Sequence, residues 1–201
     1  MIAIIDYDAG NIKSVEKAVT ALGGQTILTR DPDEIRKADK VILPGVGSFG
    51  DAMENLHRFQ LPEVIREVVR DGRPFLGICL GLQLLFDGSE ESPGIPGLSI
   101  LRGEILRIPE GEGRKIPHMG WNSLHLQNNG RLFKDMKEGT FVYFVHSYYL
   151  KAADPSIVRA VTEYGVSIHA SVEQDNVMAT QFHPEKSSGA GRQILKNFLS
   201  L

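Results

Sequence analysis

Phe75-Leu76-Gly77-Ile78-Cys79-Leu80-Gly81 is the stretch on which the fold turns. Phe75 to Ile78 is a short apolar run of the kind that fills a buried strand, and Leu82 to Phe86 beyond it is helical in pattern. Between the two stands a cysteine flanked by glycines in the form G-x-C-x-G. A sharp strand-to-helix turn strains the backbone at its apex, and flanking glycines remove the Cβ atoms that would clash there. The apex side chain is then left exposed above a sheet.

Three more apolar runs bounded by turn residues precede this elbow: Ile2 to Ile5, Thr26 to Leu28 and Val41 to Leu43. Ile12, Val15, Val19 and Leu22 recur at helical spacing and stop at Gly23-Gly24, and Val64, Ile65, Val68 and Val69 do so before Asp71-Gly72. Strand and helix in alternation predict an α/β fold, a mostly parallel open sheet flanked by helices. After Ser92-Pro93-Gly94 the strand-like stretches crowd together: Gly103 to Ile108, Trp121 to Leu126, Phe141 to Tyr149, Ile157 to Thr162, Val166 to Val172 and Val177 to Phe182. Turns such as Asn128-Asn129-Gly130 between them predict an antiparallel extension in the second half. Ile194, Leu195, Phe198 and Leu199 predict a closing helix packed on the sheet. Without a repeat or a long linker, residues 1–201 are expected to form a single domain.

With 42% hydrophobic and 23% charged residues, the chain has the apolar mass for one core and no charge excess that would keep it open. Its formal net charge of -3 offers no electrostatic footprint for nucleic acid. Cys79 stands alone, so it cannot form an internal disulfide, and a lone thiol suits a reducing compartment; the expected location is cytoplasmic. Met1-Ile2-Ala3-Ile4-Ile5-Asp6 lacks a basic start and meets a carboxylate too soon for a signal peptide. No segment approaches the roughly 18 apolar residues of a membrane span, so no membrane partner is expected.

Chemistry gathers at three places. Cys79 at the elbow is a candidate nucleophile, and the start of a helix just beyond it favours the reactive thiolate. A thiol nucleophile needs a base, and the base needs a group that fixes its tautomer. His183-Pro184-Glu185, at the end of the run Val177 to Phe182, supplies both, because Pro184 biases His183 to an extended conformation that lets positions 183 and 185 project to one side. Pro44-Gly45-Val46-Gly47-Ser48-Phe49-Gly50 follows the strand Val41 to Leu43, at the end of a parallel sheet where ligands bind. Its spacing fits no phosphate-binding pattern. Gly47 and Leu80 could instead present backbone N–H groups to a developing oxyanion. Gln83, one helical turn after Cys79, could hold a substrate amide. His118 and His146 match no zinc spacing, so no metal is expected. His57, His125 and His169 carry no expected role, and Glu110 to Lys115 reads as a polar loop.

Gly77-Ile78-Cys79-Leu80-Gly81 together with His183-Pro184-Glu185 about a hundred residues later resembles the class I (triad) glutamine amidotransferases. Within that class, Gly10-Asn11-Ile12, Pro44-Gly45-Val46-Gly47, Pro117-His118-Met119-Gly120-Trp121-Asn122, Phe144-Val145-His146-Ser147-Tyr148 and His183-Pro184-Glu185-Lys186-Ser187 are similar to the glutaminase subunits of imidazole glycerol phosphate synthases. The resemblance spans nearly the whole chain. It implies glutamine as substrate, hydrolysed by Cys79, His183 and Glu185, with Gly47, Leu80, Gln83, Glu91, Ser147 and Tyr148 binding substrate or oxyanion. It implies no cofactor. It also implies a heterodimer with a cyclase subunit, met through Asn11, Trp121, Tyr143 and Lys186, that uses the ammonia to make imidazole glycerol phosphate and aminoimidazole carboxamide ribotide in histidine biosynthesis. Two other readings stay open: a non-catalytic interaction subunit, and a cysteine hydrolase acting on a peptide or ester.

Overall fold

The computed structural model describes residues 1–201. The first half alternates regularly: β1 (Ile2–Ile5), α1 (Ile12–Thr20), β2 (Thr26–Thr29), α2 (Pro32–Lys37), β3 (Lys40–Leu43), α3 (Phe49–Arg58), α4 (Leu61–Arg70), β4 (Phe75–Ile78) and α5 (Leu80–Leu84). The second half holds β5 (Gly88–Ser89), β6 (Gly103–Arg107), β7 (His118–Ser123), β8 (His125–Leu126), β9 (Phe141–His146), β10 (Tyr148–Ala152), β11 (Val158–Glu163), β12 (Ser167–Gln174), β13 (Val177–Thr180) and the closing helix α6 (Ser188–Leu199).

The central sheet has eight strands in the order β2-β1-β3-β4-β13-β12-β11-β8. From β2 to β13 every pairing is parallel, and from β13 to β8 every pairing is antiparallel. This is the α/β architecture expected, with its antiparallel extension. Because both faces are covered, the parallel strands read as continuous apolar runs, and alternate residues serve opposite cores. Ala3, Ile5, Val41 and Leu43 face one core with α3 and α4, while Ile2, Ile4 and Ile42 face the other with Val15 and Val19 of α1 and Ile194, Leu195 and Phe198 of α6.

Two further helices, α2 and α3, start at capping residues. Asp31 caps α2, its carboxylate accepting from the N–H groups of Asp33 and Glu34, with Pro32 in the first turn. Ser48 caps α3 by accepting from the Asp51 N–H. Two expected strands also divide. Trp121 to Leu126 splits at Leu124, since β7 joins a two-stranded ribbon with β9 whereas β8 joins the central sheet. Phe141 to Tyr149 splits at Ser147, where the chain leaves that ribbon for a three-stranded sheet of order β10-β6-β5. Buried positions keep one phase through both breaks, His118 and Leu124 at the first and Val142, Phe144, His146 and Leu150 at the second, so the inside-outside period does not mark them. The second break brings Ser147 and Tyr148 above the carboxyl ends of β3 and β4, where the cysteine stands.

Candidate active site

Cys79 occupies the turn between β4 and α5 with φ 55° and ψ -109°, a conformation that L-residues rarely adopt. The turn is tight enough to require its glycines. A Cβ on Gly81 would stand 1.9 Å from the Leu43 carbonyl oxygen, and one on Gly77 would stand 2.8 Å from the Gly81 oxygen. The Cys79 N–H donates to the Thr180 carbonyl at 2.7 Å, tying the elbow to the end of β13. The expected helix beyond the elbow begins at Leu80, two residues before its apolar pattern starts, because the glycine turn delivers the chain directly into helical geometry.

His183 and Glu185 follow β13 three and five residues after it ends, in the neighbouring strand connection. His183 Nδ1–H donates to Glu185 Oε1 at 2.8 Å, and the two side chains are 2% and 0% exposed, so water does not compete for that bond. Burial works against a charged imidazole at His183, but hydrogen bonding and charge from Cys79 and Glu185 outweigh it and raise its pKa to about 10. His183 Nε2 meets no oxygen or nitrogen at hydrogen-bond distance, and the group it is turned to is the Cys79 thiol. That nitrogen stands on the side of a cleft that His183 shares with Cys79.

That cleft has a volume of about 320 Å³. Gly47, Leu80, Gln83, Glu91, Ser147 and Tyr148 line it together with Cys79 and His183, joined by Val46, Pro117, Val145 and His146, which sequence reasoning had not placed there. Glu91 is anchored by the Phe49 N–H, which donates to its Oε2 at 2.8 Å at the start of α3. Gln83 donates both amide hydrogens inward, to the Tyr148 carbonyl at 3.0 Å and to Gln181 Oε1 at 3.1 Å. What it can still offer is its oxygen. The Leu80 N–H is engaged at 3.3 Å by the Gly45 carbonyl, a long bond, and Gly47 has φ +100° with open space where a Cβ would stand.

The four residues assigned to a partner interface do not behave alike. Trp121 is 51% exposed and meets Tyr143 across the β7–β9 ribbon with ring centroids 6.0 Å apart. Met119 and Phe141 extend the same exposed apolar stripe. Lys186 is exposed as well. Asn11 turns inward instead: it sits at the start of α1 with φ 66°, makes no side-chain cap, and donates through Nδ2 to Glu185 Oε1 at 3.0 Å. Its spacing in Gly10-Asn11-Ile12 gave no hint of Glu185, 174 residues away.

His118 and His146 lie beside the cleft, 3.0 Å apart between Nδ1 and Nε2. Burial lowers the first to about 4 and the second to about 3. No group of three or more His, Cys, Asp or Glu side chains is placed to hold a metal ion. His57 is exposed, His125 pairs with Glu138 on the surface, and His169 accepts from the Ala152 N–H. No helix is long and apolar enough to cross a membrane.

Residues 3–201 match the family model of Glutamine amidotransferase class-I. The chain belongs to this family. Among curated class-I amidotransferase relatives, it is 48% identical to the imidazole glycerol phosphate synthase subunit HisH of Geobacter metallireducens, over 98% of this chain and 96% of that one. It is 49% identical to the HisH subunit of Methanocaldococcus jannaschii, over all of both chains. Two solved amidotransferase structures, more distant in sequence, share the fold. One glutamine amidotransferase has a TM-score of 0.77 at 19% identity, covering 99% of this chain and 97% of that one. The glutaminase domain of Trypanosoma brucei CTPS has a TM-score of 0.71 at 16% identity, covering 99% and 92%.

Proposed function

We propose that this class-I amidotransferase is the glutaminase subunit of an imidazole glycerol phosphate synthase, hydrolysing glutamine to glutamate and ammonia for a cyclase partner in histidine biosynthesis. The observation that carries the reading is the buried His183–Glu185 pair, joined at 2.8 Å and set beside Cys79 in one cleft. The full-length identity to HisH subunits supports the choice of synthase.

In the mechanism, Cys79 passes its proton to His183 and the thiolate attacks the carboxamide carbon of glutamine. Glu185 holds the imidazole by Nδ1, leaving Nε2 to face the reaction, and stabilises the imidazolium that forms. His183 then returns the proton to the departing nitrogen, and ammonia leaves with formation of a γ-glutamyl thioester. Water, deprotonated by the same imidazole, releases glutamate and restores the thiol. The Glu91 carboxylate suits the α-ammonium of an amino-acid substrate, and the Gln83 oxygen suits an N–H.

The tetrahedral oxyanion needs donors. Leu80 and Gly47 are the N–H groups at hand, and the first is engaged by Gly45 at 3.3 Å. A turn of the peptides from Gly45 to Gly47 would release it, and Gly47 accepts backbone angles that other residues resist. Such a turn gives a partner something to control. Ammonia freed into neutral water is mostly ammonium, which is no nucleophile, so its release must be timed to the cyclase.

The exposed stripe of Met119, Trp121 and Phe141 suits that partner, since contiguous apolar surface marks interaction sites. It is mechanically tied to the triad, because the Tyr143 carbonyl of β9 accepts from the His183 N–H at 3.0 Å. The deciding experiment measures glutamate formation from glutamine by the chain alone, with a cyclase subunit, and with cyclase and its nucleotide ligand. Turnover that is low alone and rises at each addition is expected. Absence of glutamate under all three conditions would overturn the reading.

A further inference from the structure

The Cys79 sulfur has a neighbour that the triad does not use. Gln181, fully buried beyond the end of β13, places Nε2 3.8 Å from Cys79 Sγ. Oxygen and nitrogen of an amide have nearly the same shape, so which one faces the sulfur must be settled by hydrogen bonding. The Tyr148 carbonyl can only accept, so the end of Gln83 that lies 3.0 Å from it is the NH2 group. That same NH2 lies 3.1 Å from Gln181, and the atom it meets there must be oxygen. The NH2 of Gln181 is thereby turned to the sulfur. The backbone holds it in place, the Gln181 N–H donating to the Ala170 carbonyl at 2.8 Å.

We propose that Gln181 is a further catalytic residue, whose amide N–H donates to the Cys79 sulfur and stabilises the attacking thiolate; this rests on the glutaminase reading given above. The sulfur has two other contacts to weigh. The Val145 carbonyl, 3.9 Å from Sγ, can accept from S–H and so serves the protonated thiol. His183 takes the proton. When it does, the contact to Val145 loses its hydrogen, while N–H···S gains a fully charged acceptor and strengthens. Gln181 carries no charge to lose, so it donates at every pH at which the protein is folded. Its orientation depends in turn on Gln83 and Tyr148, which places the cleft-lining amide and the nucleophile in one hydrogen-bonded chain.

Cys79 is the sole cysteine, so alkylation by iodoacetamide reports on this sulfur alone. The test compares the wild-type chain with Gln181→Met, which keeps length and removes the donor, and with Gln181→Leu. Each is assayed near neutral pH and well below its melting temperature. Alkylation of folded protein is expected to slow on the order of tenfold in both variants, the effect of losing a hydrogen bond to a charged group. The thiolate's ultraviolet absorbance should weaken in parallel, and kcat for glutamine should fall with KM little changed. Alkylation within about twofold of wild type in both variants would overturn the assignment, because a merely structural Gln181 would lower the melting temperature and leave the sulfur's reactivity alone. Wild-type protein that alkylates readily but forms no glutamate alone, with cyclase, or with cyclase and its nucleotide ligand would overturn the glutaminase reading instead.

Discussion

His183 with Glu185 and His118 with His146 are both buried imidazole contacts, at 2.8 Å and 3.0 Å, on the same side of the molecule. They differ in charge. Burial lowers both histidines of the second pair, to about 4 and about 3, whereas the Cys79 and Glu185 partners reverse the effect of burial at His183 and raise it to about 10. The bond directions explain why. His146 Nδ1–H donates to the Tyr148 carbonyl at 2.8 Å, so its Nε2 must accept from His118 Nδ1–H, and His118 Nε2 accepts from the Asn122 amide at 3.3 Å. A second proton on either ring would set donor against donor. At His183 the partner is a carboxylate with two donors on one oxygen, and Nε2 is free for a proton. Residue type and depth therefore leave protonation undecided, and the acceptors around each ring decide it.

The sharpest test of the contrast is His183→Gln against His118→Phe. Loss of the base should lower glutamine turnover by on the order of 10⁴-fold in the activated complex. His118→Phe keeps a flat ring against Phe144 and Tyr164, which stack on His118 with centroids 4.8 Å and 4.0 Å away, and should change turnover by less than about tenfold. Equal losses measured in the same glutamate assay would erase the distinction between the two pairs.

Glu185→Gln comes next. Asn11 Nδ2 and His183 Nδ1 both donate to Oε1, so in the variant the amide oxygen is held at that place and the NH2 takes the position of Oε2, which has no partner. The tautomer of His183 survives and only the charge is lost. Turnover should fall about 10²-fold, less than for His183→Gln, in line with exchanging a charged acceptor for a neutral one. A loss as large as that of His183→Gln would mean that Glu185 does more than orient and stabilise.

Asn11→Ala should cost about tenfold, by removing one donor from the Glu185 carboxylate. The measurement that matters is where the loss shows. A residue acting on Glu185 lowers the small turnover of the isolated chain as well as that of the complex. A residue acting at the partner surface lowers only the complex. The inward bond of Asn11 leads us to expect the first result.

What the sequence made legible follows the same division between local and distant chemistry. The elbow was readable because its residues are contiguous and each glycine has a steric reason, and the parallel strands were readable because burial on both faces leaves unbroken apolar runs. The caps Asp31 and Ser48 are legible too, as Asp-Pro-Asp-Glu and Ser-Phe-Gly-Asp, and in α3 Phe49, Ala52, Met53 and Leu56 recur at helical spacing, whereas α2, six residues with Ile35 as its one buried side chain, has no period to show. Asn11 and Gln181 were out of reach. Each acts on a residue brought near by topology, 174 positions away for Asn11 and 102 for Gln181, and no spacing rule links them. The strand breaks at Leu124 and Ser147 were hidden for a different reason, because the chain changes sheets there while its buried positions keep the same phase.

The smallest effect expected is on stability, and its sign separates the two pairs. His118 and His146 are depressed in the folded protein below the ordinary 6.5, so between about pH 6.5 and pH 4 the unfolded chain binds protons that the folded chain does not. Their contribution is complete above 6.5 and is lost as pH falls through 4 and 3. His183 is raised, so its contribution is complete below 6.5 and is lost as pH rises through about 10. Urea unfolding of the wild type followed from pH 7 to pH 4.5 should therefore show stability falling with acid. His118→Phe should flatten that fall by about one proton per molecule, since one of the three imidazoles that burial depresses, His118, His146 and His169, is gone. Its alkaline limb should be unchanged. Wild-type and variant slopes that coincide on the acid side would mean that His118 carries a proton in the fold, and the directed chain from Asn122 to Tyr148 would have to be redrawn.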